Sequence, residues 1–148
     1  MSNHSTVICD IIRYNSMGDA YTTEAVKIVN MAAIDRLLGN MDRFLQPILY
    51  LSGRNTSSSD ESQTMTVTGG GGKYCISVDG PGLVPVFAYF AEQRSDRVRV
   101  WTSDQGFTAN GRYVVPDAMT ALLIVSRWCD DGQKEDSIHW RSYTHDEY

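Results

Sequence analysis

With 148 residues the chain makes one domain, residues 1–148, long enough to bury ~70% of its unfolded surface without disulfide or metal staples. Its 42% hydrophobic and 21% charged residues are the balance of a globular protein and exclude a disordered or collagen-like chain. A formal net charge of −5, with thirteen Lys and Arg scattered along the sequence, argues against direct nucleic-acid binding and suits an acidic protein that meets a basic partner.

The first segment, TVICDIIRY from Thr6 to Tyr14, is rich in β-branched residues. Val7, Cys9 and Ile11 fall on one face and Ile8 and Ile12 on the other, which predicts a strand covered on both sides. A polar turn around Gly18 leads to a second short strand, EAVKIV. Asn30 reads as a helix cap. Behind it Met31, Ile34, Leu38, Met41 and Leu45 recur at helical spacing, predicting an amphipathic helix over 31–45 that ends before Pro47. ILYLS is the next strand. Residues 53–63, GRNTSSSDESQ, hold no apolar residue and read as a surface loop, with Asp60 and Glu61 as candidate contacts for a partner.

Closely spaced strand signals follow: TMTVT, KYCISV, VPVFAYFA and RVRVWTS. Tyr74, Ile76 and Val78 alternate with Lys73, Cys75 and Ser77, and the connections are short and glycine-rich, so antiparallel neighbours are expected. Between the first two stand Gly69 to Gly72, directly before Lys73. A phosphate loop of the GxxxxGK[ST] kind needs glycine at position 67 and a hydroxyl residue at 74, where the chain has Val67 and Tyr74. A GxGxxG fingerprint from Gly70 needs glycine at 75, the place of Cys75. Both motifs also need a following helix to hold the phosphate, and an alternating strand follows instead. The four glycines therefore read as a hairpin turn, and no nucleotide cofactor is expected.

Other catalytic signatures are missing from the sequence. Histidine occurs only at His4, His139 and His145, with no third ligand placed to complete a metal site. There is no GxSxG elbow and no HExxH helix. Cys9, Cys75 and Cys129 lie far apart within apolar patterns and read as buried thiols of a reducing compartment. The start, MSNHSTVICD, shows no export signal, and no apolar run reaches the ~18 residues of a membrane span. The expectation is a cytoplasmic protein without enzymatic activity, metal or membrane contact.

The last third reads VVPDAMTALLIVSRWCDDGQKEDSIHW. Pro116 suits the first turn of a helix and Asp117 complements its dipole. Ala118, Ala121, Leu122, Val125 and Cys129 form an apolar stripe that Ile124 and Trp128 widen, and Gly132 is a helix stop. A short strand with Ile138 and Trp140 on one face closes the domain. The carboxylates Asp130, Asp131, Glu135 and Asp136 crowd around Gly132, in a stretch read as a loop, and form the second candidate contact set for a basic partner.

This C-terminal pattern resembles the first of the immunity-protein superfamilies of bacterial polymorphic toxin systems. Members of that family end with a VP-x-x-A helix entry, a helix with an aromatic near its end, a glycine, and a terminal strand finishing in tryptophan. Val115, Pro116, Ala118, Trp128, Gly132 and Trp140 occupy those places here. The likeness extends as a pattern over residues 24–141. The chain departs from it by the polar 53–63 loop and by QKEDS where a shorter link is common. What the resemblance implies is a small domain that binds and blocks one toxin domain in the producing cell, in several cases a nucleic-acid deaminase. The motif residues are scaffold, so the resemblance assigns no binding residue. The sequence thus predicts an α+β fold, an antiparallel β-sheet meander with two main helices packed on one face. The alternative function is a small ligand-binding or enzymatic domain with a pocket between sheet and helices.

Overall fold

Apolar residues on both faces of the first strand require cover on two sides, and the chain provides it differently on each. The computed structural model describes residues 7–17, 19–52, 63–82, 84–101 and 107–142. The elements run β1 (Val7–Tyr14), β2 (Tyr21–Ile28), α1 (Met31–Gly39), β3 (Ile48–Ser52), β4 (Thr64–Gly70), β5 (Lys73–Asp79), β6 (Val86–Tyr89), β7 (Arg97–Trp101), β8 (Phe107–Asn110), α2 (Ala118–Asp131) and β9 (His139–Arg141). Seven strands make one sheet in the order β2-β1-β3-β4-β5-β6-β9, with every neighbouring pair antiparallel. The α+β class, the antiparallel sheet and the two helices are those expected from the sequence. Strand RVRVWTS leaves that sheet, however, and pairs as β7 with β8 in a separate two-stranded ribbon.

On one face of the sheet the alternating residues Cys9, Ile11, Leu49, Leu51, Met65, Val67, Ile76 and Val78 meet Ile34 and Leu38 of α1 and Ala121, Ile124, Val125, Trp128 and Cys129 of α2. On the other face Cys75, Phe87 and Tyr89 pack with Val98, Val100, Ala109, Tyr113 and Val114. Two buried hydrogen bonds tie the helices down. Tyr74 Oη donates to the Leu38 carbonyl of α1 at 2.8 Å, and the Trp128 indole of α2 donates to the Leu51 carbonyl of β3 at 3.2 Å. All three cysteines are buried and unbridged, and burial pushes their thiols up to about 12, so they stay protonated at neutral pH.

The helix ends carry the expected chemistry with two shifts. The Asn30 side chain accepts from the Ala33 N–H at 2.9 Å, and Gly132 closes α2 in the left-handed conformation at φ 73°. Asp117 is itself the cap of α2, accepting from the Thr120 N–H at 2.7 Å, so Pro116 precedes the helix instead of occupying its first turn. The helix α1 stops at Gly39 and Asn40, six residues short of the 31–45 expectation. Met41 stays buried, but Leu45 is exposed in a tight turn closed by mutual Asp42 and Gln46 backbone hydrogen bonds of 3.0 and 2.9 Å.

Two different turns account for three of the four glycines. Gly71 and Gly72, with φ of 64° and 86°, make the two-residue hairpin between β4 and β5. Gly70 belongs to β4, where a Cβ would stand 2.8 Å from backbone atoms of Met41 and Asp42. Lys73 is an exposed strand residue.

Candidate binding cleft between the two helices

Both helices lie on the same sheet face, but their axes leave a gap at the start of α1. Its walls are the β2–α1 connection, through Val29, Asn30, Met31 and Ile34, and the second half of α2, through Leu123, Ser126, Arg127, Cys129 and Asp130. Glu135, just past α2, completes a cleft of about 530 Å³. That size lies within the ~300–1,000 Å³ of ordinary ligand pockets. The lining is mostly apolar, and several large side chains around it are only partly covered: Val29 is 65% exposed, Met31 58% and Leu123 48%. All three side chains border the same concave wall.

One polar atom in this wall has no satisfied partner. Ser126 Oγ is buried without a hydrogen bond, and burying a hydroxyl in that way costs ~1–3 kcal/mol. A bound group that supplied a donor or acceptor there would recover part of that cost.

The rim carries the charge. Arg127 Nε donates to both carboxylate oxygens of Asp131, at 3.1 and 3.0 Å, one turn further along α2. The same guanidinium stands 3.6 Å from Glu135 and 3.8 Å from Asp136. The bond to Asp131, reinforced by the neighbouring carboxylates, pushes the Arg127 pKa further up, so it is always charged. The Ser137 hydroxyl and backbone N–H both donate to Glu135, at 2.6 and 3.0 Å. These hydrogen bonds first, and then Arg127, hold the Glu135 carboxyl below the ordinary glutamate range. Three carboxylates therefore surround one guanidinium, and with Asp130 beside them the rim carries more acidic than basic side chains.

The structure thus brings one of the two expected acidic sets to a concave surface. Asp130 and Asp131 are the last two residues of α2 instead of loop residues, because Gly132 is the first residue able to leave the helix there. Asp130 and Glu135 line the cleft, and Asp131 and Asp136 flank Arg127 outside it. The side chain of Glu135 is 12% exposed and that of Asp136 is 86% exposed. Asp60 and Glu61 lie outside the described residues. The sequence reading missed Arg127, although its spacing of four from Asp131 on a helix is the signature of such a pair. It also missed the apolar wall, whose halves are about ninety residues apart in the chain.

Among the described residues no three His, Cys, Asp or Glu side chains stand close enough to hold a metal ion. No helix among them is long and apolar enough to cross a membrane. No family model, no curated protein and no solved structure matches the chain.

Proposed function

We propose that this chain is an immunity protein, a stoichiometric inhibitor that binds one toxin domain and occludes its active site. The observation that carries the reading is the apolar cleft rimmed by Asp130, Asp131, Glu135 and Asp136. A toxin that acts on nucleic acid, such as a deaminase, needs a basic surface for the phosphates. A negative rim is steered to that surface, and the apolar cleft takes an apolar side chain presented beside the basic residues. Inhibition then needs no chemistry from the antitoxin, only bulk placed where substrate would enter. The C-terminal pattern around Pro116, Trp128, Gly132 and Trp140 supports the same reading through the resemblance it carries.

The test is to look for a toxin with a variable C-terminal domain among the adjacent genes and to co-express that domain with this chain. Restored growth and a one-to-one complex are the expected outcome, and failure of Asp130→Asn with Glu135→Gln to protect as well as the parent would place the contact on the cleft. Continued toxicity with no complex would overturn the reading. A second reading rests on Ser126 Oγ: a pocket-sized apolar cleft with one unsatisfied hydroxyl is also what a small ligand needs. The cleft then lies between the two helices, not between sheet and helices. Ligand-induced thermal stabilisation that Ser126→Ala abolishes, without any protection against the toxin, would favour it.

A further inference from the structure

Among the described residues, the outer edge of β2 is the longest unpaired backbone edge of the seven-stranded sheet. β2 is the terminal strand, eight residues long, and pairs with β1 in one uninterrupted register from Tyr21 opposite Tyr14 to Ile28 opposite Val7. The opposite terminal strand, β9, has three residues. Tyr21 through Ala25 and Lys27 are all exposed, while Ile28 enters the core shared with the helices and Val26 packs against it. Exposed edges are usually blunted by proline, bulges or charge, lysine above all, and on β2 Lys27 is the one lysine. β2 has no proline and no bulge, and Glu24 is occupied by its ion pair with Arg13 on the neighbouring strand.

The phase of the ladder identifies which backbone groups face outward. The Tyr14 N–H points away from β2 and donates to Leu45 O at 2.7 Å, whereas the Asn15 N–H donates to Ala20 O at 2.9 Å. Tyr14 and Tyr21 are therefore a non-hydrogen-bonded pair, and alternation along an antiparallel ladder turns the N–H and C=O of Tyr21, Thr23, Ala25 and Lys27 outward. Among the described residues nothing pairs with them.

We infer that this edge pairs with a second copy of the chain, β2 against β2 about a two-fold axis through Ala25, joining two seven-stranded sheets into one. The sequence of β2 is self-complementary in that register and not in its neighbour. With Ala25 opposite Ala25 of the second copy, Thr23 faces Lys27, Glu24 faces Val26, and Tyr21 faces Val29. Tyr21 and Val29, which also borders the cleft, are 61% and 65% exposed, and aromatic against β-branched is a favourable cross-strand pair. The two Glu24 side chains lie diagonal to each other, each already neutralised by its own Arg13. A register shifted toward the N-terminus sets Glu24 directly opposite Glu24, so charge disfavours it. The small side chains at the axis let the two backbones approach to ladder distance.

The experiment uses this protein alone and is independent of the toxin reading. Sedimentation velocity from about 5 to about 500 µM is expected to show a reversible monomer–dimer equilibrium. Thr23→Lys places two lysines opposite two lysines and should weaken the dimer about two- to thirty-fold, while Thr23→Glu should strengthen it by a similar factor. Ala25→Pro removes an outward N–H and leaves the β1 ladder intact, so it should give a folded monomer. Ala25→Cys should form an intermolecular disulfide under mild oxidation, because hydrogen-bonded antiparallel partners stand ~5.5 Å apart at Cα and the native thiols are buried. A chain that stays monomeric across the range overturns the inference and leaves the edge to a strand of another protein. So does a dimer that responds alike to Thr23→Lys and Thr23→Glu.

Discussion

Gly70 and Gly71 are neighbours in sequence, yet substitution by alanine should affect them very differently. At Gly71, φ is 64° and nothing lies within 4 Å of an added Cβ. The cost of Gly71→Ala is then only that of placing an L-residue in the left-handed region, ~1–2 kcal/mol. At Gly70 φ is 142° and the added carbon would meet the Met41 carbonyl and the Asp42 nitrogen at 2.8 Å. These are backbone atoms of a turn held by its own hydrogen bonds, so they cannot swing aside as a flexible side chain would. Conformational strain and overpacking add, giving ~2–5 kcal/mol for Gly70→Ala. For a chain of this size each kcal/mol lowers Tm by ~3 °C, so the expected drops are about 4 °C for Gly71→Ala and about 10 °C for Gly70→Ala. Thermal unfolding followed by far-UV circular dichroism measures both. Equal shifts would refute the close approach of the 40–46 turn to β4 and return all four glycines to a simple hairpin turn.

Trp128→Phe removes the donor to the buried Leu51 carbonyl and should cost ~1–3 kcal/mol in urea unfolding, with the m-value unchanged. Lys73→Ala should leave stability within ~0.5 kcal/mol and reveal no nucleotide binding to lose, since Lys73 only follows a hairpin turn. Glu135 has a depressed pKa when folded, so its contribution is fully present above the ordinary glutamate value of 4.5 and is lost as pH falls through the lower folded value. The Trp140 indole, which donates to the Glu135 carbonyl at 3.0 Å, reports this loop. Its N–H resonance should hold steady from pH 7 to 4.5 and move only below, whereas Glu135→Gln should move it already at pH 7.

The period-2 alternation of Tyr74, Ile76 and Val78 identified β5 because one sheet face is wholly apolar, and the same logic recovered β1, β3 and β4. The caps Asn30 and Gly132 were legible because each needs a local residue type. Helical spacing misled at Leu45, since a period continues on paper through Gly39 and Asn40, where the helix ends. The ribbon of β7 and β8 was not legible as a separate layer: Arg97 and Val98 alternate in the same way whichever sheet they join. Of the candidate site, the carboxylates were visible as a cluster. Their convergence on Arg127, and the apolar wall from Val29 and Met31, depend on α1 and α2 meeting across one sheet face, which no local pattern encodes.

In the proposed inhibitor the acidic rim of the helix cleft contacts the toxin domain. Association kinetics of the Asp130→Asn, Glu135→Gln double variant with the proposed toxin domain, measured across a salt series, test that contact. Slower association than the parent at low salt and a shallower salt dependence are expected, because steering by rim charges is screened over ~8 Å at physiological ionic strength. Parental rates at every salt concentration would contradict it and move the interface away from the cleft, toward the exposed Arg97 and Arg99 of β7.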